Sequence, residues 1–142
     1  MANRLYIIMR TDMASMGRGR AIAEGSHIAN QMVWEHVVCP MMEGGIPNQA
    51  IIDWHKEANG FGTAIVLRCK NEVEMNNVHT LAIANGFLSK IVYDPEYYVM
   101  DGDYAIRLTD VPVGVYVFGD HLELKPYLGD FEAMPNDPVG RE

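Results

Sequence analysis

The chain has 142 residues, 49% of them hydrophobic, which suits one domain with its own core and excludes a chain disordered throughout. Its net charge of −8 is unfavourable for general nucleic-acid binding, because Lys and Arg supply most non-specific affinity by neutralising phosphates. The acidic excess lies in residues 94–142, which carry three basic and eleven acidic residues, whereas residues 1–93 carry eight of each. Any contact with nucleic acid therefore requires a local basic patch, and Arg4, Arg10, Arg18 and Arg20 place it in the first twenty residues.

The sequence shows no sign of a membrane segment or an oxidising compartment. No apolar run approaches the roughly 20 residues that span a bilayer, and Arg10 interrupts the first apolar run too early for a signal peptide. Cys39 and Cys69 stand far apart, without metal-ligand spacing, and are expected as buried thiols. We therefore expect a cytoplasmic protein with no membrane contact.

The hydrophobic pattern predicts strands that alternate with helices. Strands are predicted at residues 5–9, 63–68, 88–93 and 113–118, and helices at residues 18–38, 49–57, 72–84 and 120–128. The first helix should stop before Pro40, and Asn71 with Glu74 has capping-box spacing at the start of the third. Residues 97–100 and 104–108 are predicted to pair as a hairpin around Asp101-Gly102.

This order of elements predicts an α/β fold. We expect a single-domain three-layer sandwich, in which a small, mixed, mostly parallel four-stranded sheet carries helices on both faces. The domain is placed at residues 1–128. Residues 129–142, which are acidic and broken by Pro and Gly, are expected to form a C-terminal tail.

Side chains that can take part in binding or catalysis lie near the junction of the first strand and the first helix. In an open α/β sheet, ligands bind at the carboxyl ends of the parallel strands, which here means the loop at residues 10–20 and the loop that begins at Asp94. His27 lies on the polar side of the first helix, with Arg20 and Glu24. If the first and third strands are neighbours, Asp94 should face the start of this helix.

These residue types permit hydrolytic chemistry, but spacing alone leaves simpler interpretations open. Arg18 and Arg20 can bind phosphate or stabilise an oxyanion, but an arginine cannot act as a base. His27 and Asp94 can orient a water molecule or accept its proton. Equally, the arginines can be solvated cations, His27 can be bonded to a nearby backbone group and Asp94 can cap its loop. Glu24 is then a surface partner of Arg20.

The opening of the chain resembles the type 2 peptidyl-tRNA hydrolases. That family has an apolar strand followed by [RK]-[TNS]-D-[LM], then M-G-K-G-K, and then a helix that reads roughly [IV]-A-A-Q-[CV]-[SA]-H-A. The corresponding segments here are Arg10-Thr11-Asp12-Met13, Met16-Gly17-Arg18-Gly19-Arg20 and Ile22-Ala23-Glu24-Gly25-Ser26-His27-Ile28. The likeness extends over residues 4–128, with a strand that ends in Asp94 where the family has a strand-end aspartate.

The resemblance implies hydrolysis of the ester between a peptide and the terminal ribose of tRNA, with no metal or other cofactor. The expected partner is the acceptor end of peptidyl-tRNA, and a homodimer is expected because family members are often dimers. We assign catalytic roles to Arg20, His27 and Asp94, and substrate-binding roles to Arg10, Asp12, Arg18 and Thr109. Both motif lysines are arginines here, and Thr109 is the nearest match to the threonine before the last strand of the family.

Two other functions stay open at this point. One is a non-catalytic module on the same fold that binds tRNA or a protein. The other is an interaction protein that works through the acidic residues 94–142 and does not bind nucleic acid. Retained tRNA binding without ester cleavage favours the first, and failure to bind tRNA at any salt concentration favours the second.

Overall fold

A computed structural model describes residues 2–13 and 16–134. The elements in chain order are β1 (Asn3–Arg10), α1 (Arg18–Val33), a π-helical segment (Trp34–Val38), α2 (Cys39–Met42), α3 (Gln49–Gly60), β2 (Ala64–Cys69), α4 (Glu72–Ala84), β3 (Leu88–Asp94), β4 (Tyr97–Asp101), β5 (Tyr104–Leu108), β6 (Val111–Asp120) and α5 (His121–Leu128). Across these two ranges, no helix is both long enough and apolar enough to cross a membrane.

The four-stranded sheet has the order β2-β1-β6-β3. β1 is parallel to β2, whereas β6 is antiparallel to both β1 and β3. The predicted mixed sheet is confirmed. The prediction that it is mostly parallel is wrong, because one pair of neighbouring strands is parallel and two pairs are antiparallel. β1, β2 and β3 do point the same way, and β6 inserts between β1 and β3 and makes both of those contacts antiparallel. The carboxyl ends of β1 and β3 consequently still lie at one edge of the sheet.

Alternate residues of β1 belong to two separate cores. Leu5, Ile7 and Met9 pack with α1 and α3, while Tyr6 and Ile8 pack with α4 and α5 on the other side. Because helices cover both faces, the strand is apolar at every position from Leu5 to Met9, which is the pattern of a strand buried on both faces. The predicted three-layer sandwich with helices on both faces is confirmed.

The first helix does not stop before Pro40, contrary to the prediction. It widens into the π-helical segment, where the N–H of Cys39 donates to the carbonyl oxygen of Trp34. Pro40 then enters the first turn of α2, where an N–H is not needed. The carbonyl oxygen of His36, which Pro40 cannot satisfy, accepts a hydrogen bond from the N–H of Asn48 at 2.8 Å.

Two local predictions about turns and caps are confirmed. The side chain of Asn71 accepts a hydrogen bond from the N–H of Glu74 at 2.9 Å and caps α4. β4 and β5 pair as an antiparallel hairpin, and Gly102 takes a positive φ of 60° in its turn. The sequence therefore specifies these two features locally.

A segment beyond α5 lies along the outer edge of β2. The N–H of Arg68 donates to the carbonyl oxygen of Glu132 at 2.9 Å, and the N–H of Met134 donates to that of Val66 at 3.1 Å. This part of the predicted tail thus covers backbone groups of an edge strand. The domain boundary at residue 128 stays a prediction, and residues 135–142 lie outside the described ranges.

The two cysteines are both free, and they differ in burial. Cys69 is buried as predicted, and this burial raises the pKa of its thiol to about 12. Cys39 is only half-buried, at the start of α2. The prediction of a buried thiol is therefore confirmed for Cys69 and wrong for Cys39.

Close seating of α1 on the sheet depends on Gly114 in β6. A Cβ atom added to Gly114 would lie 2.8 Å from Cδ1 of Ile28 in α1 and 2.8 Å from the carbonyl oxygen of Ile8 in β1. Both distances are shorter than van der Waals contact, so the absence of a side chain lets Ile28 reach the backbone of the central strands. This contact fixes the distance of α1 from the sheet.

We expect Gly114→Ala to lower the free energy of unfolding by about 1–3 kcal/mol, because the added methyl group must displace α1 or strain β1. Urea denaturation followed by circular dichroism measures the change. Gly25→Ala is the matched control, since no atom lies within 4 Å of the corresponding Cβ position in α1. That control should gain up to about 1 kcal/mol from helix propensity. Equal stability of the two variants would contradict this account.

Candidate active site

Asp94 lies at the sheet edge where α1 begins. It is half-buried at the end of β3, and its Oδ1 accepts a hydrogen bond from the N–H of Glu96 at 2.9 Å as the chain turns into the hairpin. β6 separates β3 from β1, so the two strands are not neighbours. Asp94 nevertheless interacts with Glu24 of α1 across this edge. The condition on which the approach of Asp94 to the first helix was predicted, that the first and third strands are neighbours, is therefore wrong, but Asp94 still reaches the first helix.

Arg20 links the first turn of α1 to the hairpin. Its guanidinium carbon lies 4.5 Å from the ring centroid of Tyr97, and its Nη1 donates to the carbonyl oxygen of Tyr98 at 3.5 Å. The Tyr97 ring is 1% exposed, and this burial raises the pKa of its hydroxyl while the charge of Arg20 opposes the shift. A cation–π contact against a buried ring holds the guanidinium in place and leaves it half-exposed to solvent.

Glu24 is buried beneath this edge and pairs with His27, one turn along the helix. The side chain of Glu24 is 1% exposed, and its Oε1 accepts a hydrogen bond from Nδ1 of His27 at 2.9 Å. The His27 ring is 62% exposed. The prediction that Glu24 forms a surface pair with Arg20 is wrong. The end of β3 and the hairpin cover the polar side of α1, on which Glu24 lies.

Burial raises the pKa of the Glu24 carboxyl group to about 7. The neighbouring carboxyl group of Asp94 acts in the same direction, whereas the hydrogen bond from His27 opposes the shift. Oε2 of Glu24 is buried and has no hydrogen-bond partner among the described residues. Two carboxyl groups and an imidazole therefore meet at this point, with one carboxyl excluded from solvent.

Arg10 and Asp12 are occupied with each other. Nε and Nη2 of Arg10 each donate to a carboxylate oxygen of Asp12 at 3.0 Å, and Nη1 donates to the carbonyl oxygen of Pro112 at 3.0 Å. The hydrogen bond to Asp12 raises the pKa of the guanidinium. This arrangement joins the end of β1 to the start of β6. The substrate-binding roles of both residues stay predictions.

Arg18 and Thr109 lie at the surface. Arg18 is exposed in the first turn of α1, and Thr109 is exposed in the turn between β5 and β6. Within the described residues, no hydrogen bond or ion pair joins Thr109 to Glu24 or Asp94. The substrate-binding roles of Arg18 and Thr109 likewise stay predictions.

A separate cavity of about 620 Å³ lies on the other face of the sheet. Its lining comes from β2, α4, α5 and residues 130–132, and includes Val78, Leu124, Tyr127 and Phe131. It contains none of the four residues that meet at the sheet edge, which are Arg20, Glu24, His27 and Asp94. The cavity and the cluster of chemically able groups are therefore in different places.

The sheet edge brings together a fixed cation, an exposed imidazole and two carboxyl groups. Within residues 2–13 and 16–134, no three His, Cys, Asp or Glu side chains are grouped so that they could hold a metal ion. A carboxylate and an imidazole can orient water and move its proton, and a guanidinium can stabilise an oxyanion. The fold and this set of groups define a small α/β protein with the components of ester hydrolysis.

The comparison with known families identifies the class more closely. The sequence model of the family Peptidyl-tRNA hydrolase PTH2 matches residues 3–102, more than half of the chain. The chain belongs to this family of peptidyl-tRNA hydrolases. No protein of curated function matches it. The matched range contains the four residues of the sheet edge and ends in the turn of the β4–β5 hairpin, before β6.

Sequence reasoning missed two contributions to this site. It placed Glu24 at the surface, and it did not connect Tyr97 with Arg20. The Tyr97 side chain is buried. A usable signal was present, because a hairpin that begins three residues after Asp94 must cover the side of the helix that Asp94 faces.

Glu24 should make the stability of the protein depend on pH. Its pKa is about 7 when folded against an ordinary value of 4.5, so the folded chain binds more protons than the unfolded chain between these values. The free energy of unfolding, relative to Glu24→Gln, should fall by about 3 kcal/mol as pH rises from 4.5 to 7, and then level off. Urea denaturation of both proteins across this range measures the difference, and parallel curves would contradict it.

Proposed function

We propose that the chain hydrolyses the ester bond between the peptide and the terminal ribose of peptidyl-tRNA. Membership of the family supports the class of reaction. One structural observation carries the assignment of the site. Arg20, His27 and Asp94 come from the start of α1 and the end of β3 and converge around buried Glu24.

Asp94 acts on the attacking water. It is the carboxyl group of the pair that reaches solvent, whereas Glu24 is sealed from it. A water molecule held by Asp94 attacks the ester carbonyl carbon and gives its proton to the carboxylate. The product of this step is a tetrahedral intermediate that bears a negative charge on the former carbonyl oxygen.

Arg20 supplies the positive charge. Its contacts with Tyr97 and Tyr98 hold the guanidinium before substrate arrives, so little reorganisation is needed when charge develops. The guanidinium stabilises the oxyanion or holds the terminal phosphate of the tRNA. These two roles differ in kinetics, because loss of oxyanion stabilisation lowers kcat and loss of phosphate binding raises KM.

His27 orients the attacking water. Its Nδ1 is engaged with Glu24, which leaves Nε2 on the exposed side of the ring. From that position, Nε2 accepts a hydrogen bond from the water, while the proton that Asp94 has taken passes to the leaving ribose oxygen. The ester C–O bond then breaks, and the ribose hydroxyl leaves with that proton.

The distribution of arginines supports a small contact with the tRNA acceptor end. Arg4 lies at the opposite end of β1 and is 3.7 Å from Glu57, and Arg10 is bound to Asp12. Arg18 and Arg20 lie in the first turn of α1, the helix that Asp94 approaches. An acidic chain can bind tRNA if it contacts only a few phosphates. In that case, KM should depend only weakly on salt concentration. A homodimer and a cytoplasmic location stay predictions.

Asp94→Asn and Arg20→Ala should each lower kcat/KM for peptidyl-tRNA by at least about 100-fold, because each removes a group that acts on developing charge. Release of labelled peptide from peptidyl-tRNA measures the rate. Arg107→Ala is the matched cation control, because Arg107 is exposed on the hairpin and is 3.5 Å from Glu96. That variant should hydrolyse at the wild-type rate.

The same assay separates hydrolysis from binding alone. A wild-type protein that binds peptidyl-tRNA without cleaving it would identify a non-catalytic binding module. Failure to bind tRNA even at low salt would instead favour an interaction protein. Circular dichroism of each variant confirms that a lost rate does not reflect unfolding.

A further inference from the structure

Glu24 is a buried acid that ester hydrolysis, as described above, does not use directly. It meets His27 on its own helix, Asp94 from the end of β3, and Tyr97 from β4, and Tyr97 in turn carries the guanidinium of Arg20. With 1% of its surface exposed, it cannot touch a water molecule that also reaches the substrate. A group in this position can act only through its neighbours, so Glu24 is not the base of the reaction.

The hydrogen bonds of Glu24 show where a proton belongs. Oε1 accepts from Nδ1 of His27 at 2.9 Å, whereas Oε2 is buried without a partner among the described residues. A buried, unpaired and charged oxygen is costly, whereas a protonated Oε2 becomes a hydrogen-bond donor. Its acidic neighbour is Asp94, which is half-exposed and accepts one backbone N–H from Glu96. Burial therefore favours the protonated form of Glu24.

We propose that Glu24 is a positioning residue that works in its protonated form, donating from Oε2 toward Asp94 and accepting from His27 at Oε1. This inference rests on the hydrolase function proposed above. The donated hydrogen bond holds Asp94 as a carboxylate ready to take a proton from water. The accepted hydrogen bond fixes the His27 tautomer with its proton on Nδ1, so that Nε2 faces the substrate.

Loss of the Glu24 proton reverses this arrangement. Two negative carboxylates then lie against each other with little water between them, and their repulsion displaces Asp94. The other groups at this point are the guanidinium of Arg20, which lies over Tyr97, and the imidazole of His27. Because the pKa of Glu24 is about 7, the site should be competent below neutral pH and should lose activity above it.

The test compares the pH dependence of kcat and KM for wild type, Glu24→Gln and Glu24→Leu between pH 5.5 and 9, with spontaneous hydrolysis subtracted. Wild-type kcat should fall about tenfold per pH unit above pH 7. Glu24→Gln should stay within about threefold of wild type at pH 6.5 and lose the alkaline fall, because its amide always donates to Asp94 and accepts from His27. Glu24→Leu should lose at least about tenfold in kcat at every pH, with KM little changed.

Glu35→Gln is the matched control, since Glu35 is a half-buried carboxylate on the π-helical segment that pairs with Lys90 away from the site. Its pH profile should match wild type. An alkaline fall that persists in Glu24→Gln would overturn the proposal, as would a folded Glu24→Gln variant inactive at all pH values.

A second measurement does not depend on turnover. The side-chain carboxyl ¹³C signal of Glu24 should titrate near pH 7 in wild type and shift on Asp94→Asn. Titration near 4.5 overturns the inference whatever the activity. If Glu24 titrates near pH 7 but the protein cleaves no peptidyl-tRNA, the proposed hydrolase function is refuted. The protonated form of Glu24 beside Asp94 is still supported.

Discussion

The contact between Ile28 and the bare backbone at Gly114 sets the position of the three candidate site residues that α1 contributes. α1 contributes Arg20, Glu24 and His27, and their height above the sheet is that of the helix. A Cβ at Gly114 would lift the helix and open a gap beneath it. The end of β3 and the hairpin would then no longer cover Glu24. The burial of Glu24, and with it the raised pKa of its carboxyl group, thus depends on the absence of a side chain at Gly114 of β6.

Local rules predicted much of this fold because the relevant signals are local. An apolar run gave β1, Asn71 gave the cap of α4, and Asp101-Gly102 gave the hairpin turn. Strand order is not local. No residue of β1 or β3 encodes that β6 enters between them, so the number of parallel contacts was overestimated. The passage of the first helix through Pro40 likewise depends on Asn48, eight residues further along the chain, which pairs with the carbonyl oxygen of His36.

The sequence predicted that three of the candidate site residues lie close together, but it did not predict the environment of Glu24, and the catalytic roles stay predictions. The sequence pattern brought Arg20, His27 and Asp94 together, and they do meet at one sheet edge. Helical periodicity could not show that Glu24, on the polar side of α1, is covered by a hairpin more than seventy residues away in sequence. Because of this cover, Glu24 is a buried carboxylic acid and not the surface ion-pair partner that the sequence predicted. The difference matters because burial decides whether this side chain holds a charge or a proton near neutral pH.

The central position of β6 constrains the order in which the chain folds as well as its final structure. β1 already has β2 as a neighbour, but β3 hydrogen-bonds only to β6 within the sheet. Asp94 therefore cannot come to rest beside α1 until residues 111–120 have been synthesised and inserted. Before β6 is in place, the four-stranded sheet consists of the β1–β2 pair, which has an open edge, and the separate strand β3. The geometry of the candidate site is thus completed late, by a strand that contributes none of Arg20, Glu24, His27 and Asp94.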